Sequence, residues 1–429
     1  MLFRYICLLI TLMKFELLSG LLLFSAGSLF AQNASTNPFD GFANKQSGLI
    51  QKAYEKRDDA EGMKLMTGLA DKYNQLNAED KRMYRGYLTN NWYNISCLYS
   101  LISKKTEALN SLDSAVKYGY ANYSHLQEDT DFANIKTEPG FIKISNRVRA
   151  IGDYKYILQK AGKYNPAQQR NIPAFTYQSA KSPELVALRK KFKLDSIAGK
   201  GDEASKAINI LHWVHNTVNH DGQHESGIKL INADEIVGVA TTKKIGVSCG
   251  ELATVLNECY LSMGWKSRKV YCFPKDSLKT DYDSHVINVV YLPSKSKWIW
   301  VDPTNNAYVT DENGQLLSIR EVRERLVNNK PLTLNTDANW NNRSKITRDF
   351  YLDNYMSKNL YMVYSPLKSE YDYQTPGKNK EITYVNLLPL EYFKQTPEVS
   401  KNLNNNNGVT VTWYRTNNPD TFWKVDKSK

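Results

Sequence analysis

The stretch Gly246–Met263, GVSCGELATVLNECYLSM, constrains the rest of the chain most tightly. A run of small residues opens directly into helical spacing. Leu252, Val255, Leu256, Cys259 and Met263 recur at i, i+3, i+4, i+7 and i+11, so one face of the helix points to a core. That period places Cys249 in the first turn. The unpaired N–H groups and positive dipole end there favour a thiolate, the nucleophilic form of cysteine. Gly250 beside it removes a side chain where a substrate would approach. Taken alone, a cysteine so placed is more often a small buried hydrophobe.

Two downstream stretches give it partners. In Tyr282-Asp283-Ser284-His285-Val286-Ile287-Asn288-Val289-Val290-Tyr291, the β-branched run reads as a buried strand with His285 at its start. In Trp298-Ile299-Trp300-Val301-Asp302-Pro303-Thr304, a strand ends on an aspartate and is stopped by proline. A cysteine at a helix start, a histidine on one strand and an aspartate closing the next make a nucleophile, a base and an orienter. The base must reach the thiol, and the third group must hold the imidazole in the right tautomer.

The segments C-G-E-L-A-T-V-L, S-H-V-I-N-V-V-Y and W-I-W-V-D-P-T resemble the transglutaminase-like superfamily, whose fold is a version of the papain-like cysteine peptidase. The resemblance covers roughly Ala204 to Tyr308 and is most specific at V-D-P-T. It implies Cys249 as nucleophile, His285 as base and Asp302 as orienter. After the histidine, where many members carry alanine and an aromatic residue, this chain has Val286 and Ile287. That departure leaves the three residues intact and the substrate preference open.

With 429 residues the chain has room for two domains, or for one large domain and an accessory. Its hydrophobic and charged fractions are those of a packed protein, which excludes a disordered one. The net charge of +12 is spread over separate lysines, without the basic stripe and interleaved aromatics of a nucleic-acid binder. It fits a solvated face, or a surface that meets acidic envelope polymers. Residues 1–31 read as a signal peptide. The apolar run Leu17–Phe30 is shorter than the ~20 residues a spanning helix needs, and small residues end it at Ala31. With Met1 or Met13 as the start, cleavage after Ala31 would export the protein to the periplasm or medium, with no stable membrane span left.

Residues 32–150 read as a helical region. Trp92, Ile95, Ser96 and Tyr99, then Ala108, Leu112 and Ala115, fit the tetratricopeptide spacing W-x2-L-G-x2-Y and A-x3-F-x2-A, with Tyr120 where the repeat usually ends on proline. Leu49–Tyr73 reads as a worn helical hairpin. One repeat cannot bury its faces alone, so it must stack on neighbouring helices, either as a structural domain or as a module for a protein partner. The Gly- and Pro-containing stretch 151–182 reads as a linker, 183–345 as the transglutaminase-like core, and 346–429 as a C-terminal extension with strands at Lys380–Leu388 and Val409–Arg415.

Four further features belong to the core. Asp202–Val218 reads as a helix carrying His212 and His215, followed by His220 and His224; ligand-like spacing invites a metal reading, but no H-E-x-x-H arrangement appears and His220-Asp221-Gly222 looks like a helix-ending turn. Cys259 and Cys272 lie on adjacent elements, as a disulfide or as two buried thiols. Trp298 and Trp300 share one strand face, as a tunnel wall or as core. Ser318-x-x-Glu321 reads as a capping box.

The expected protein is α+β: a helical tetratricopeptide-like region, then a papain-like core with an antiparallel sheet. Its expected chemistry is cysteine-dependent acyl transfer on peptide or protein amides, without cofactor or metal, and hydrolytic rather than amine-transferring. The Cys249 N–H supplies one oxyanion donor, with Gln223 as a candidate for the second. A protein-glutamine transglutaminase and a non-catalytic binding module are the alternatives.

Overall fold

The computed structural model describes residues 38–56, 58–275, 283–404 and 408–425. The leader at 1–31 and its cleavage after Ala31 lie outside the described residues, as do Tyr282 and most of the Asn404–Asn407 run. The chain divides into two compact units between Ile157 and Leu158. Among the described residues no helix is long and apolar enough to cross a membrane.

The first unit is helical. Pro38–Glu55 and Asp59–Asn74 form the hairpin expected over Leu49–Tyr73, with Asp58 capping the second helix through the Glu61 N–H. Gly86–Leu101 and Lys105–Lys117 form a second pair. The Ser96 hydroxyl donates to the Ala108 carbonyl across that pair at 2.7 Å. Such a bond requires close backbones, which the small residues at these positions allow. Ala108, Leu112 and Ala115 are fully buried, and Trp92 and Tyr99 pack against the cluster from its edge. Tyr120 stacks on Tyr93 with ring centroids 4.3 Å apart.

The second unit is α+β. Helix Glu203–Thr217 is capped by Asp202, and helix Ala233–Lys243 by Asn232, as their sequences require. With the cysteine helix, Cys249–Ser262, they bury Leu211, Val214, Ile236, Leu252, Val255 and Leu256 against Val290, Ile299 and Val301 of a sheet. Each such aliphatic side chain contributes about 1.5–3 kcal/mol.

That sheet has seven strands: β1 Ser267–Phe273, β2 His285–Leu292, β3 Lys297–Val301, β4 Met362–Pro366, β5 Glu381–Leu387, β6 Val399–Asn404 and β7 Val409–Thr416. The spatial order is β6-β7-β5-β4-β1-β2-β3. All neighbours pair antiparallel except β5 and β7, which run parallel from Glu381↔Thr410 to Leu387↔Thr416. The expected antiparallel sheet is thus mixed at one pair, because β6 returns as a hairpin onto the outer edge of β7. The stretch 151–182 contains helix Tyr154–Gln159 and the short strand Thr176–Tyr177.

The cysteine helix differs from its sequence reading in one respect. It is buried on every side from Leu252 to Ser262, not along one face. Its polar residues find partners inside. Glu258 accepts from the N–H groups of Ala233 (2.7 Å) and Asp372 (3.0 Å), Asn257 donates to Ser369 Oγ (2.8 Å), and Thr254 accepts from Lys269 Nζ (2.6 Å). Burial pushes the Glu258 carboxyl up to about 8 and pulls the Lys269 amine down to about 8.

Candidate active site

Cys249 occupies the first position of its helix. Ser248 is the N-cap, and Glu251 closes a capping box: the Ser248 N–H and Oγ–H reach Glu251 Oε2 at 2.7 and 2.9 Å. The Glu251 carboxylate also accepts from Ser226 Oγ. The helix therefore starts at a fixed residue, and the thiol is half-buried at that start. A Cβ on Gly250 would meet only Ser248 Oγ at 3.8 Å and Val286 at 3.9 Å, so the chain's own packing does not require glycine there. Gly246 is different. A Cβ there would lie 2.6 Å from Asp221 Cβ and 3.0 Å from its backbone N. The glycine lets residues 219–221 run beside Val247, tied by Val247 N–H to Asn219 O (2.9 Å) and Asp221 N–H to Val247 O (2.7 Å).

His285 begins β2 and Asp302 follows β3, and antiparallel pairing of these strands brings both to the same end. His285 Nε2 and Asp302 Oδ2 are 2.8 Å apart, with both side chains essentially inaccessible. That leaves Nδ1 of the same ring for the thiol. Asp302 is held by four further donors: the N–H groups of Thr304 (2.9 Å) and Asn305 (3.3 Å) on Oδ1, and Asn305 Nδ2 (2.9 Å) and the Tyr351 hydroxyl (2.6 Å) on Oδ2. The V-D-P-T ending is thus an aspartate turn whose own backbone fixes the carboxylate.

Electrostatics follow from this wiring. Burial pushes the Asp302 carboxyl up, but the His285 charge and the bonds from His285, Asn305 and Tyr351 outweigh it and hold the group below its ordinary range. Burial pulls the His285 imidazole down, and Asp302 with the Cys249 side chain carries it up to about 10. Burial raises the Cys249 thiol, while hydrogen bonding and charge from His220 and His285 bring it down to about 6. Between these values the pair exists as thiolate and imidazolium. Cys97, Cys259 and Cys272 are buried, free, and pushed well above the ordinary thiol range by desolvation.

Two participants were not legible in the sequence. Tyr351 lies on a π-helical turn, Asp349–Met356, that also sets the Tyr355 ring 5.1 Å from the His285 ring. Irregular helix of this kind recurs at functional sites. The Tyr351 hydroxyl in turn accepts from Trp300 Nε1 at 3.2 Å. The other participant is His220, expected to be only part of a turn. It pairs with Val247, two residues before Cys249, and its hydrogen bonding and charge lower the thiol; its Nδ1 accepts from Trp340 Nε1 (3.1 Å), and its backbone is clamped by Asn341, which accepts from its N–H (2.7 Å) and donates to its carbonyl (2.9 Å). Trp340 and Asn341 come from the Asn-rich turn after Asn335, where Asn341 and Asn342 adopt φ of 54° and 56°.

The remaining sequence candidates go elsewhere. Gln223 is exposed, with its N–H on Asp221 Oδ1 at 2.9 Å. The four histidines do not converge: His212 faces Asp337 (3.3 Å), His215 is buried between the Pro303 carbonyl and Asn339 Oδ1 (2.9 Å each), His220 meets Trp340 Nε1 (3.1 Å), and His224 faces Asp221 (2.8 Å). In the helical unit, Cys97, Asp129 and Asp131 bring ligand-type atoms within 4.8 Å of one another. Asp129 there accepts from the Tyr93 hydroxyl (2.7 Å) and the Cys97 thiol (3.7 Å), and burial raises the Asp131 carboxyl. Cys259 and Cys272 are separate thiols. Trp298 and Trp300 are core residues, 6% and 0% exposed, so they line no tunnel.

Over residues 190–303 the chain is similar to the Transglutaminase-like superfamily. A protein of Cytophaga hutchinsonii, provisionally named a cysteine protease, aligns at 18% identity with a TM-score of 0.21, over 33% of this chain and 43% of that one. The chain therefore spans less than half of that protein's length, and the likeness is too slight to bear on mechanism. A comparison with curated proteins found no match.

Proposed function

We propose that the protein is a cysteine-dependent acyl-transfer enzyme that hydrolyses peptide or related amide bonds through Cys249, His285 and Asp302. One observation carries the reading: the His285–Asp302 contact of 2.8 Å beside a thiol held at about 6, in a chain whose other described thiols are buried and raised. The Cys249 thiolate attacks the amide carbonyl. His285, protonated through Nδ1, gives its proton to the departing amine, then takes one from water as water attacks the thioester. Asp302 holds the ring so that Nδ1 faces sulfur. The Cys249 N–H, at a helix position with no intrahelical acceptor, donates to the oxyanion. The leader-like residues 1–31 support an exported location, and N-terminal sequencing of the mature protein tests it: the expected first residue is Gln32.

Hydrolysis is favoured over amine transfer because the aromatic strand face that offered a water-excluding tunnel is core. The test combines an electrophilic activity probe, mass spectrometry of the labelled peptide, and incubation of a protein mixture with a labelled primary amine. The expected result is probe on Cys249, new peptide fragments and no amine incorporation. His285→Ala should cut turnover ~10²–10⁴-fold with the fold retained. Cys249-dependent amine incorporation without fragments would identify a transferase instead, and probe spread evenly over all cysteines would remove the enzyme reading.

A further inference from the structure

We propose that His220 is the second oxyanion donor, presenting its Nε2–H to the carbonyl oxygen that Cys249 attacks. This inference rests on the cysteine acyl-transfer reading and supplies the donor that reading lacks.

His220 pairs with Val247, two residues before Cys249, so two imidazoles act on one thiol, and their second partners differ in kind. His285 is backed by a carboxylate, Asp302, which favours the imidazolium and makes the ring a proton carrier. His220 is backed by an indole, whose N–H can only donate. Nδ1 of His220 must therefore be the unprotonated acceptor, and the proton of the neutral ring sits on Nε2. The nearest carboxylate in sequence, Asp221, is taken up by the Gln223 and His224 N–H groups and by the His224 ring. Trp340 thus fixes the tautomer, as Asp302 fixes that of His285, but toward a donor instead of a base.

The position is fixed as well. Asn341 clamps the His220 backbone from both sides, and His220 bridges Val247, two residues before Cys249. An oxyanion donor must be placed before charge develops, and these bonds do that without using the ring. The ε edge of the ring is kept open by Gly222: a Cβ there would stand 3.2 Å from Cε1 and 3.5 Å from Nε2.

In the step itself, the thiolate sulfur bonds to the carbonyl carbon and the C=O π pair moves onto oxygen. The resulting oxyanion accepts from Cys249 N–H and His220 Nε2–H, and neither proton transfers. Collapse restores C=O and breaks the bond to the leaving group, which takes the His285 proton where it is an amine.

Two reactions of the same thiol separate this role from mere support of the thiolate. Acetylation by p-nitrophenyl acetate passes through a tetrahedral oxyanion and releases p-nitrophenolate, which needs no proton. Alkylation by iodoacetamide is a displacement at carbon with no oxyanion. His220→Ala is expected to slow the acetylation burst by ~10²–10³-fold. Alkylation at pH ~9, where the thiolate is formed in either protein, should stay within about 3-fold. His220→Gln, which restores an N–H donor, should recover most of the burst, and Trp340→Phe, which frees the tautomer, should fall between. Retained alkylation confined to Cys249 shows that each variant is folded. Equal losses in both reactions, or an unchanged burst in His220→Ala, overturn the proposal. A wild-type burst that survives Cys249→Ala overturns instead the cysteine reading beneath it.

Discussion

At Cys249 two opposing effects act on one sulfur. Desolvation disfavours the thiolate, and two imidazoles reverse it, giving a value of about 6, below the ~8.5 of an ordinary thiol. For His285 the signs are opposite: burial disfavours the imidazolium and the Asp302 carboxylate reinstates it, to about 10. A depressed thiol is charged above its own value, and a raised imidazole is charged below its own. Iodoacetamide alkylation of Cys249 should therefore reach half its plateau rate near pH 6, while Cys97, Cys259 and Cys272 stay unmodified. Amide turnover should rise over the same range and fall only toward pH 10, as His285 loses the proton the leaving amine needs. A midpoint near ~8.5 in the folded protein would contradict the wiring. The three residues of the proposed triad were legible because each sits at the end of a patterned element. Tyr351 and His220 were not. Each reaches the site from an irregular segment, 49 residues from Asp302 in one case, and no spacing rule links a π-helical turn or the loop after a helix to a thiol.

The elements that carry the site were legible for local reasons. Ser248 and Glu251, like Ser318 and Glu321, satisfy each other's backbone and side chain, so both helices start where their sequences say. β1, β2 and β3 carry the β-branched and aromatic residues that a buried strand selects. The burial of the cysteine helix on every side was not legible, because Thr254, Asn257 and Glu258 look like solvent-facing residues until Lys269, Ser369 and the Ala233 and Asp372 N–H groups are brought to them. The parallel pairing of β5 with β7 was equally hidden, since it depends on where the β6 hairpin lands. Gly246 joins two such elements and gives a test at this scale. In Gly246→Ala the new Cβ meets Asp221 at 2.6 Å, close to backbone that cannot swing aside. Overpacking of this kind costs about 1–3 kcal/mol. Thermal denaturation should show Tm lowered by about 2–4 °C per kcal/mol. The strand-like contact of residues 219–221 with Val247 loosens, so His220 should also withdraw from the thiol and the alkylation midpoint should move up. An unchanged Tm together with an unchanged midpoint would show that the contact is not needed.

In the second unit, the site depends on residues far beyond the transglutaminase-like stretch. The family resemblance ends at 303, yet β4 to β7 continue the same sheet from the free edge of β1, and Tyr351 supports Asp302 from within that later segment. The opposite face of the sheet is closed by helix Pro419–Trp423. Arg268 on β1 is fully buried there, with its guanidinium 4.0 Å from Phe175, 4.7 Å from Trp298 and 5.5 Å from both Phe422 and Trp423, and it donates to the Phe422 carbonyl at 3.0 Å. Such a desolvated cation is tolerable only while the aromatic faces and that carbonyl enclose it. A chain ending at residue 345 keeps the proposed triad. It loses four strands of seven, exposes the β1 edge and opens the Arg268 cage. We expect that truncation to aggregate or to lack a cooperative transition by circular dichroism, and to lose selective alkylation of Cys249. A chain ending at 425 should keep both. If the 1–345 chain elutes as a monomer and alkylates at Cys249 with the same midpoint near pH 6, the later strands are an appendage and the site belongs to residues 158–345 alone.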